Sequence, residues 1–226
     1  MIKLNCKSKS MSALIIPKQN MAQCETLFDK IKQLSEEGLL LNINQINWYS
    51  DFPKLLPVTV HIAHDNQKLY LYYQVEGEEL RTVNTKDFMP VWEDSCVEFF
   101  MQRKGEKNYR NFEFNAHGVL LASKRESKDN AEKLAEEVMA SIQRFSTIEH
   151  VYKDGAQLSN WTLYAAIPKE ALGFLADENL SEQVIGANFY KCGDETNEPH
   201  FISWNAIDMP KPNFHVPQFF GELIFE

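Results

Sequence analysis

Apolar and polar positions alternate along most of the chain with the period of two that marks β-strands, and only twice does the spacing lengthen toward that of a helix. Val58-Thr59-Val60-His61-Ile62-Ala63-His64 and Leu69-Tyr70-Leu71-Tyr72-Tyr73-Gln74-Val75 flank the polar cluster Asp65-Asn66-Gln67-Lys68, which predicts an antiparallel hairpin. Further strands are predicted at residues 95–101, 109–116, 119–123, 142–148, 161–167, 184–190 and 219–225. Between residues 22 and 38, Leu27, Ile31 and Leu34 recur at three- and four-residue steps and Gly38 stands where a helix would stop. This predicts a short amphipathic helix ahead of the main domain. Residues 125–143 carry mixed charge with Leu134, Val138 and Ile142 four apart, the pattern of a helix packed on the sheets or of a mobile insertion.

Many short strands separated by turns give the fold class: all-β with minor peripheral helices, an antiparallel β-sandwich of immunoglobulin-like type. Val97, Phe99, Phe112 and Phe114 are expected between the two sheets, with the 22–38 helix outside. With no internal repeat and no Gly-Ser linker, residues 22–226 read as one domain behind an N-terminal tail at 1–21, its first dozen residues disordered.

Composition sharpens this picture. The chain has 226 residues, of which 44% are hydrophobic and 12% aromatic, enough to fill one core. A net charge of -9 repels phosphate backbones and anionic lipid, so neither nucleic acid nor a membrane is an expected partner. No apolar run nears the roughly 20 residues that cross a bilayer. The opening Met1-Ile2-Lys3-Leu4-Asn5-Cys6-Lys7 is basic, yet the apolar stretch after it is too short for an export signal, which favours the cytoplasm. Cys6, Cys24, Cys96 and Cys192 form no CxxC pair, so free thiols and no metal site are expected.

The chemistry concentrates around Val91-Trp92-Glu93-Asp94-Ser95-Cys96-Val97-Glu98-Phe99-Phe100. Alternation sets Glu98 on the face of Cys96 and Phe100, opposite Val97 and Phe99. In the next strand, Phe112 and Phe114 take one face while Tyr109, Asn111, Glu113 and Asn115 take the other. If the two strands pair, Glu98, Asn111, Glu113 and Asn115 form one acceptor-rich surface to which Arg125 can add a forked donor, an arrangement suited to a polyol. The alternative is a solvated sheet face with a structural ion pair. Trp48 and Trp161 lie in apolar contexts that predict core packing.

The Trp92 segment, Asn111-Phe112-Glu113-Phe114-Asn115, Asn188-Phe189-Tyr190-Lys191-Cys192-Gly193-Asp194, His200-Phe201-Ile202-Ser203-Trp204-Asn205 and Phe219-Phe220-Gly221-Glu222-Leu223 occur in the order of marker segments of family 9-like carbohydrate-binding proteins. The chain resembles that family over residues 46–225. The resemblance implies a sandwich of the wider DOMON-like set that binds sugars or haem, a non-catalytic module, and a place in polysaccharide metabolism. It further implies a sugar ring held between two Trp rings, matched here by Trp92 and Trp204. Glu98 matches a carboxylate that hydrogen-bonds sugar, and Arg125 is a looser match to a basic residue. Polar neighbours beside both Trp residues agree with a wet cleft.

Rival readings remain at this stage. A glycosidase would pair Asp94 with Glu98 or Glu113; haem would need ligands from Met89, Met101, His64 and His200. Structural calcium could use Asp65-Asn66, Asp87 or Asp194-Glu195, although none forms a loop motif. A sandwich that lost its sugar site would instead meet a protein partner through its acidic surface and residues 125–143.

Overall fold

The alternating segments do become strands, and the computed structural model describes residues 14–226. The chain runs β1 (Leu14–Ile16), α1 (Leu27–Glu37), β2 (Leu39–Asn42), β3 (Gln45–Ile46), β4 (Val58–His64), β5 (Lys68–Glu78), β6 (Cys96–Arg103), β7 (Tyr109–Asn115) and β8 (Leu120–Arg125). It continues through β9 (Ala131–Lys133), α2 (Glu136–Ser141), β10 (Gln143–Lys153), β11 (Ala156–Pro168), β12 (Val184–Gly193), β13 (His200–Ser203) and β14 (Gly221–Phe225). The larger sheet is ordered β1-β14-β12-β6-β7-β8-β9, with β13 on β12 and β3 on β13; the smaller is β10-β11-β5-β4-β2. Among these strand pairs only β1 with β14 is parallel.

Burial of the apolar row from each sheet holds the two layers together. Val97, Phe99, Phe112, Phe114 and Phe189 of the larger sheet pack with Val60, Leu71, Tyr73, Leu163 and Ala165 of the smaller, all without exposed surface. Phe99 stacks on Phe112 and Phe189 at centroid separations of 6.0 and 5.1 Å. These aromatic contacts add to the area term and fix ring orientation. The all-β sandwich is therefore as the alternation implied.

Three local expectations change. Residues 14–21, expected in the tail, belong to the domain: β1 pairs with β14, and Ile16 and Met21 are buried. An apolar triplet too short for a periodic signal is recruited by an open sheet edge. The rest of that tail lies outside the described residues. The N-terminal helix begins at Leu27 because Thr26 and Asp29 close a capping box, each side chain accepting the other's backbone N–H at 3.1 and 3.0 Å. It lies outside the sandwich, with Leu34 against Ala63 and Tyr70. Residues 125–143 divide into β9 and the six-residue α2, with Met139 and Ile142 buried in the core and Leu134 and Val138 packed against it.

A second cross-sheet tie is polar. Lys191 of β12 is fully buried, and its three ammonium hydrogens go to Glu78 Oε1 (2.7 Å), the Cys192 carbonyl (2.7 Å) and His200 Nε2 (2.8 Å). Glu78 of β5 also accepts from Trp161 Nε1 of β11 at 2.7 Å. Because the ammonium can only donate, His200 accepts on Nε2 and carries its proton on Nδ1, which donates to the Glu198 carbonyl. Burial, followed by the Lys191 charge, pushes the His200 pKa down to about 2 and keeps it neutral. Trp161 is thus a core residue with a polar handle, as its sequence context suggested.

The far face of the larger sheet is also covered. Residues Trp48, Ile207, Phe214 and Val216 pack over Cys96, Phe100, Tyr109, Leu121, Tyr190 and Cys192. Phe214 stacks on Tyr190 at 4.0 Å, and Trp48 Nε1 donates to the Met209 carbonyl at 2.7 Å. Asn188 and Asn205 exchange hydrogen bonds that pin the start of this roof to β12.

Glu78→Ala leaves the Lys191 ammonium buried without its carboxylate and is expected to destabilise the fold by about 3–5 kcal/mol in urea denaturation. A loss under about 1 kcal/mol, the value of an exposed pair, would show that the network does not tie the sheets.

Candidate functional site

Register places the chemistry. Glu98 on β6 stands directly opposite Glu113 on β7 and, on its other side, Tyr190 on β12. Tyr190 is in turn opposite Ser203 on β13, so these residues form one row on the roofed face. The next row holds Asn115, Cys96, Cys192 and Phe201. Every residue of β7 is buried, so this face is not the solvated surface that its polarity suggested.

Where the roof stops, it leaves a pocket of about 300 Å³ lined by Trp92, Glu98, Glu113, Arg125, Lys128, Cys192, Asp194, Phe201, Pro212, Asn213, Phe214 and His215. Trp92, 37% exposed, is carried on a short 3-10 turn, Val91–Glu93. Backbone bonds from Asp194 to the Trp92 carbonyl and from Glu195 to the Glu93 carbonyl, each 3.1 Å, hold that turn to the β12–β13 connection. The pocket therefore combines aromatic walls with a charged floor.

The floor is a relay of partners. Arg125 Nε donates to Asn111 Oδ1 at 2.8 Å, and Asn111 Nδ2 donates to Glu113 Oε1 at 2.7 Å. Among the described residues, the buried Glu113 Oε2 has no hydrogen-bond partner. The Cys192 thiol donates to Glu98 Oε1 at 3.1 Å. Burial, reinforced by the Glu113 charge, lifts Glu98 well above the carboxylate range. Burial also raises Glu113 to about 7, although the Arg125 charge and the Asn111 hydrogen bond oppose it. At the rim, burial and the neighbouring Glu195 lift Asp194 to about 6. The floor thus sets Glu98, whose burial favours the protonated, donating form, beside Glu113 and a fixed guanidinium.

The expected residues part company here. Trp92, Glu98, Glu113 and Arg125 meet in the pocket, and Asn111 supports it from one step behind. Trp204 does not join Trp92, and the expectation of a cleft between these two rings is corrected. Ser203 shares the Glu98 row, so Trp204, one position on, turns to the opposite face. There it packs on Phe189 at 5.8 Å and lies over Gly221, where a Cβ would come within 2.6 Å of its ring. Asn115 is also diverted, its Nδ2 donating to the Asn84 carbonyl and Asp94 while Oδ1 accepts from His117 and Val119.

Most other residues of the rival readings are engaged elsewhere, whereas Glu98, Glu113 and Asp194 line the pocket. Asp94 accepts from Arg81, the backbone of Val83 and Asn84, and Asn115, so it organises a loop. Asp87 faces Arg144 with both oxygens at 2.7 and 3.0 Å, and Asp65 accepts from Tyr70. His200 belongs to the Lys191 network, His64 packs on Phe225, and Met101 fills the main core. Sequence reasoning missed Phe201, Phe214, His215, Lys128 and Cys192. Alternation within His200-Phe201-Ile202-Ser203 could have assigned Phe201 to the Glu98 face, whereas residues 204–220 have no period to read.

Comparisons agree with this architecture. The family model described as carbohydrate-binding family 9 matches residues 24–225. A crystal structure from Bacteroides uniformis, described as a "putative carbohydrate-binding protein", is 31% identical with a TM-score of 0.80, covering 96% of this chain and 99% of that one. A family 9 carbohydrate-binding module from Caldicellulosiruptor kristjanssonii, solved with glucose, is 12% identical with a TM-score of 0.58 over 95% of this chain and 96% of its own. Its complex with cellotriose gives 12% identity and a TM-score of 0.57, covering 95% and 94%. A search of curated proteins finds no match.

The buried carboxyls imply a pH signature. The folded protein holds the Glu113 proton to about 7, whereas an ordinary glutamate releases it near 4.5. Glu113 therefore lends stability at low pH that is lost as pH rises through this interval. His64, His200 and His215, pushed down by burial, act oppositely as pH falls below the usual 6.5. Comparison with a variant separates the two effects. Across the Glu113 interval, Glu113→Gln should gain roughly 3 kcal/mol on the wild type in urea denaturation. A pH-independent difference would mean that Glu113 titrates normally.

Proposed function

The chain belongs to carbohydrate-binding family 9, and we propose that it binds the end of a glucan chain, without cleaving it, in the pocket under Trp92. The observation that carries this reading is the pairing of a half-exposed Trp ring with a floor of Glu98, Glu113 and Arg125. A pyranose has an axial C–H face and an equatorial belt of hydroxyls. The indole quadrupole attracts the first, while carboxyl and guanidinium groups exchange hydrogen bonds with the second.

Glu113 Oε2 supplies an acceptor whose desolvation has already occurred, and Glu98, which burial inclines to the protonated form, supplies a donor. Hydroxyls need both. Phe201 and Phe214 also line the pocket, and in this reading they supply the second aromatic contact expected of Trp204. Support for a glucose-type ligand comes from the Caldicellulosiruptor kristjanssonii module, solved with glucose and cellotriose.

The same geometry supports binding without cleavage. A glycosidase brings its acid and its nucleophile or base to the two sides of one bond. Glu98 and Glu113 instead rise side by side from adjacent strands on one wall.

Titration calorimetry with cello-oligosaccharides tests the reading. Trp92→Ala should weaken binding by about 1–3 kcal/mol, roughly 5- to 150-fold, as the loss of an aromatic anchor does. Trp204→Ala should leave affinity unchanged and lower the melting temperature, because its ring packs on Phe189 and Gly221. Equal weakening by both variants would restore Trp204 as the second ring. No binding of any glucan would overturn the sugar reading, and release of reducing ends from β-glucan would overturn the non-catalytic one.

A further inference from the structure

Behind the pocket floor, beside Glu98, lie two thiols that the sugar reading does not use. Cys96 on β6 and Cys192 on β12 are direct cross-strand partners, and Glu98 is the next residue of β6 on the same face. One ligand atom from each, two sulfurs and a carboxylate oxygen, all lie within 4.8 Å of one another. None of the three residues is more than 3% exposed. Yet Cys192 and Glu98 both line the pocket, so an ion has a route to them.

Two thiols with one carboxylate favour a borderline-soft ion such as Zn²⁺ over Ca²⁺ or Mg²⁺, which require oxygen ligands. A separate observation points to the same spot. Glu113 Oε2 is buried in the same pocket and has no partner among the described residues, the condition of an acceptor awaiting a cation or donor.

We propose that Cys96, Cys192 and Glu98 bind a zinc-class divalent cation at the floor of the pocket, with a fourth position open toward Glu113 and the pocket water. Binding exchanges protons for metal. Each thiol loses its S–H proton, and Glu98 its carboxyl proton, to solvent as sulfur and oxygen form bonds to the ion, and the Cys192 hydrogen bond to Glu98 is replaced by shared coordination. The ion's two charges offset the two new thiolates, while Arg125 and Lys128, also in the pocket, balance the two carboxylates. Cys24, the other cysteine within the described residues, is on a different part of the fold, donating to Gln33. The inference does not depend on a sugar being the pocket's ligand.

The test uses full-length protein, stripped with a chelator under a phosphine reductant and titrated with Co²⁺ and then Zn²⁺. Expected are thiolate-to-cobalt charge-transfer bands and tetrahedral visible bands that saturate at one equivalent and are bleached by Zn²⁺. Cys24→Ser keeps this signal. Cys96→Ser and Cys192→Ser lose it, with affinity lower by more than about 100-fold, beyond what removing an outer-shell partner does. Should either serine variant unfold by circular dichroism, Glu98→Gln, which keeps both thiols, decides through an affinity loss of at least about tenfold. No charge-transfer band at one equivalent, or a band that survives in folded Cys96→Ser or Cys192→Ser protein, overturns the proposal. So does unchanged affinity in Glu98→Gln.

Discussion

Strand β7 is buried along its whole length, and β6 along all but its last two residues, because the larger sheet is covered on both faces. One face meets the smaller sheet through phenylalanines, and the other meets the roof of residues around 204–220. A carboxylate on an ordinary outer face would be hydrated. Here Glu98 and Glu113 stand opposite each other where little water reaches, so holding both charges there is unfavourable. The raised pKa values, the Arg125–Asn111 relay and the unpartnered oxygen of Glu113 all follow from this confinement.

The rest of the fold keeps that gap in register. Lys191 lies between Tyr190 and Cys192, which face the roof, and turns inward to Glu78 and His200. Its network ties β12 and β13 to β5 and β11, so the strand that carries the back wall of the pocket is anchored from behind. Asp94 performs a similar task at the other end, accepting from residues 81–84 while Asn115 donates to it and to the Asn84 carbonyl, and so holds the turn that presents Trp92. Polar residues that resembled site residues in the sequence are in this way spent on positioning.

Period-two alternation made the sandwich and its inner row legible, and it set Glu98 and Glu113 on one face. It could not reveal that this face has a roof, because residues 204–220 reach it as irregular chain with prolines at 210, 212 and 217. Nor could family resemblance tell the two Trp residues apart. Trp204 follows Ser203 by one position, and a single step along a strand exchanges the faces. The pairing of Cys96 with Cys192 was illegible for another reason: their adjacency arises from sheet pairing between segments far apart in sequence, which no spacing rule detects.

The central claim is that two confined carboxyls hold a proton near neutral pH and hand it into ligand hydrogen bonds. Carbon-13 NMR of the glutamate side-chain carboxyls, followed across pH with and without cellobiose, observes this directly. The account predicts that the Glu98 and Glu113 signals titrate together, above the ordinary glutamate range, and that both shift when the sugar is added. Two independent titrations in the ordinary glutamate range, unmoved by sugar, would contradict it.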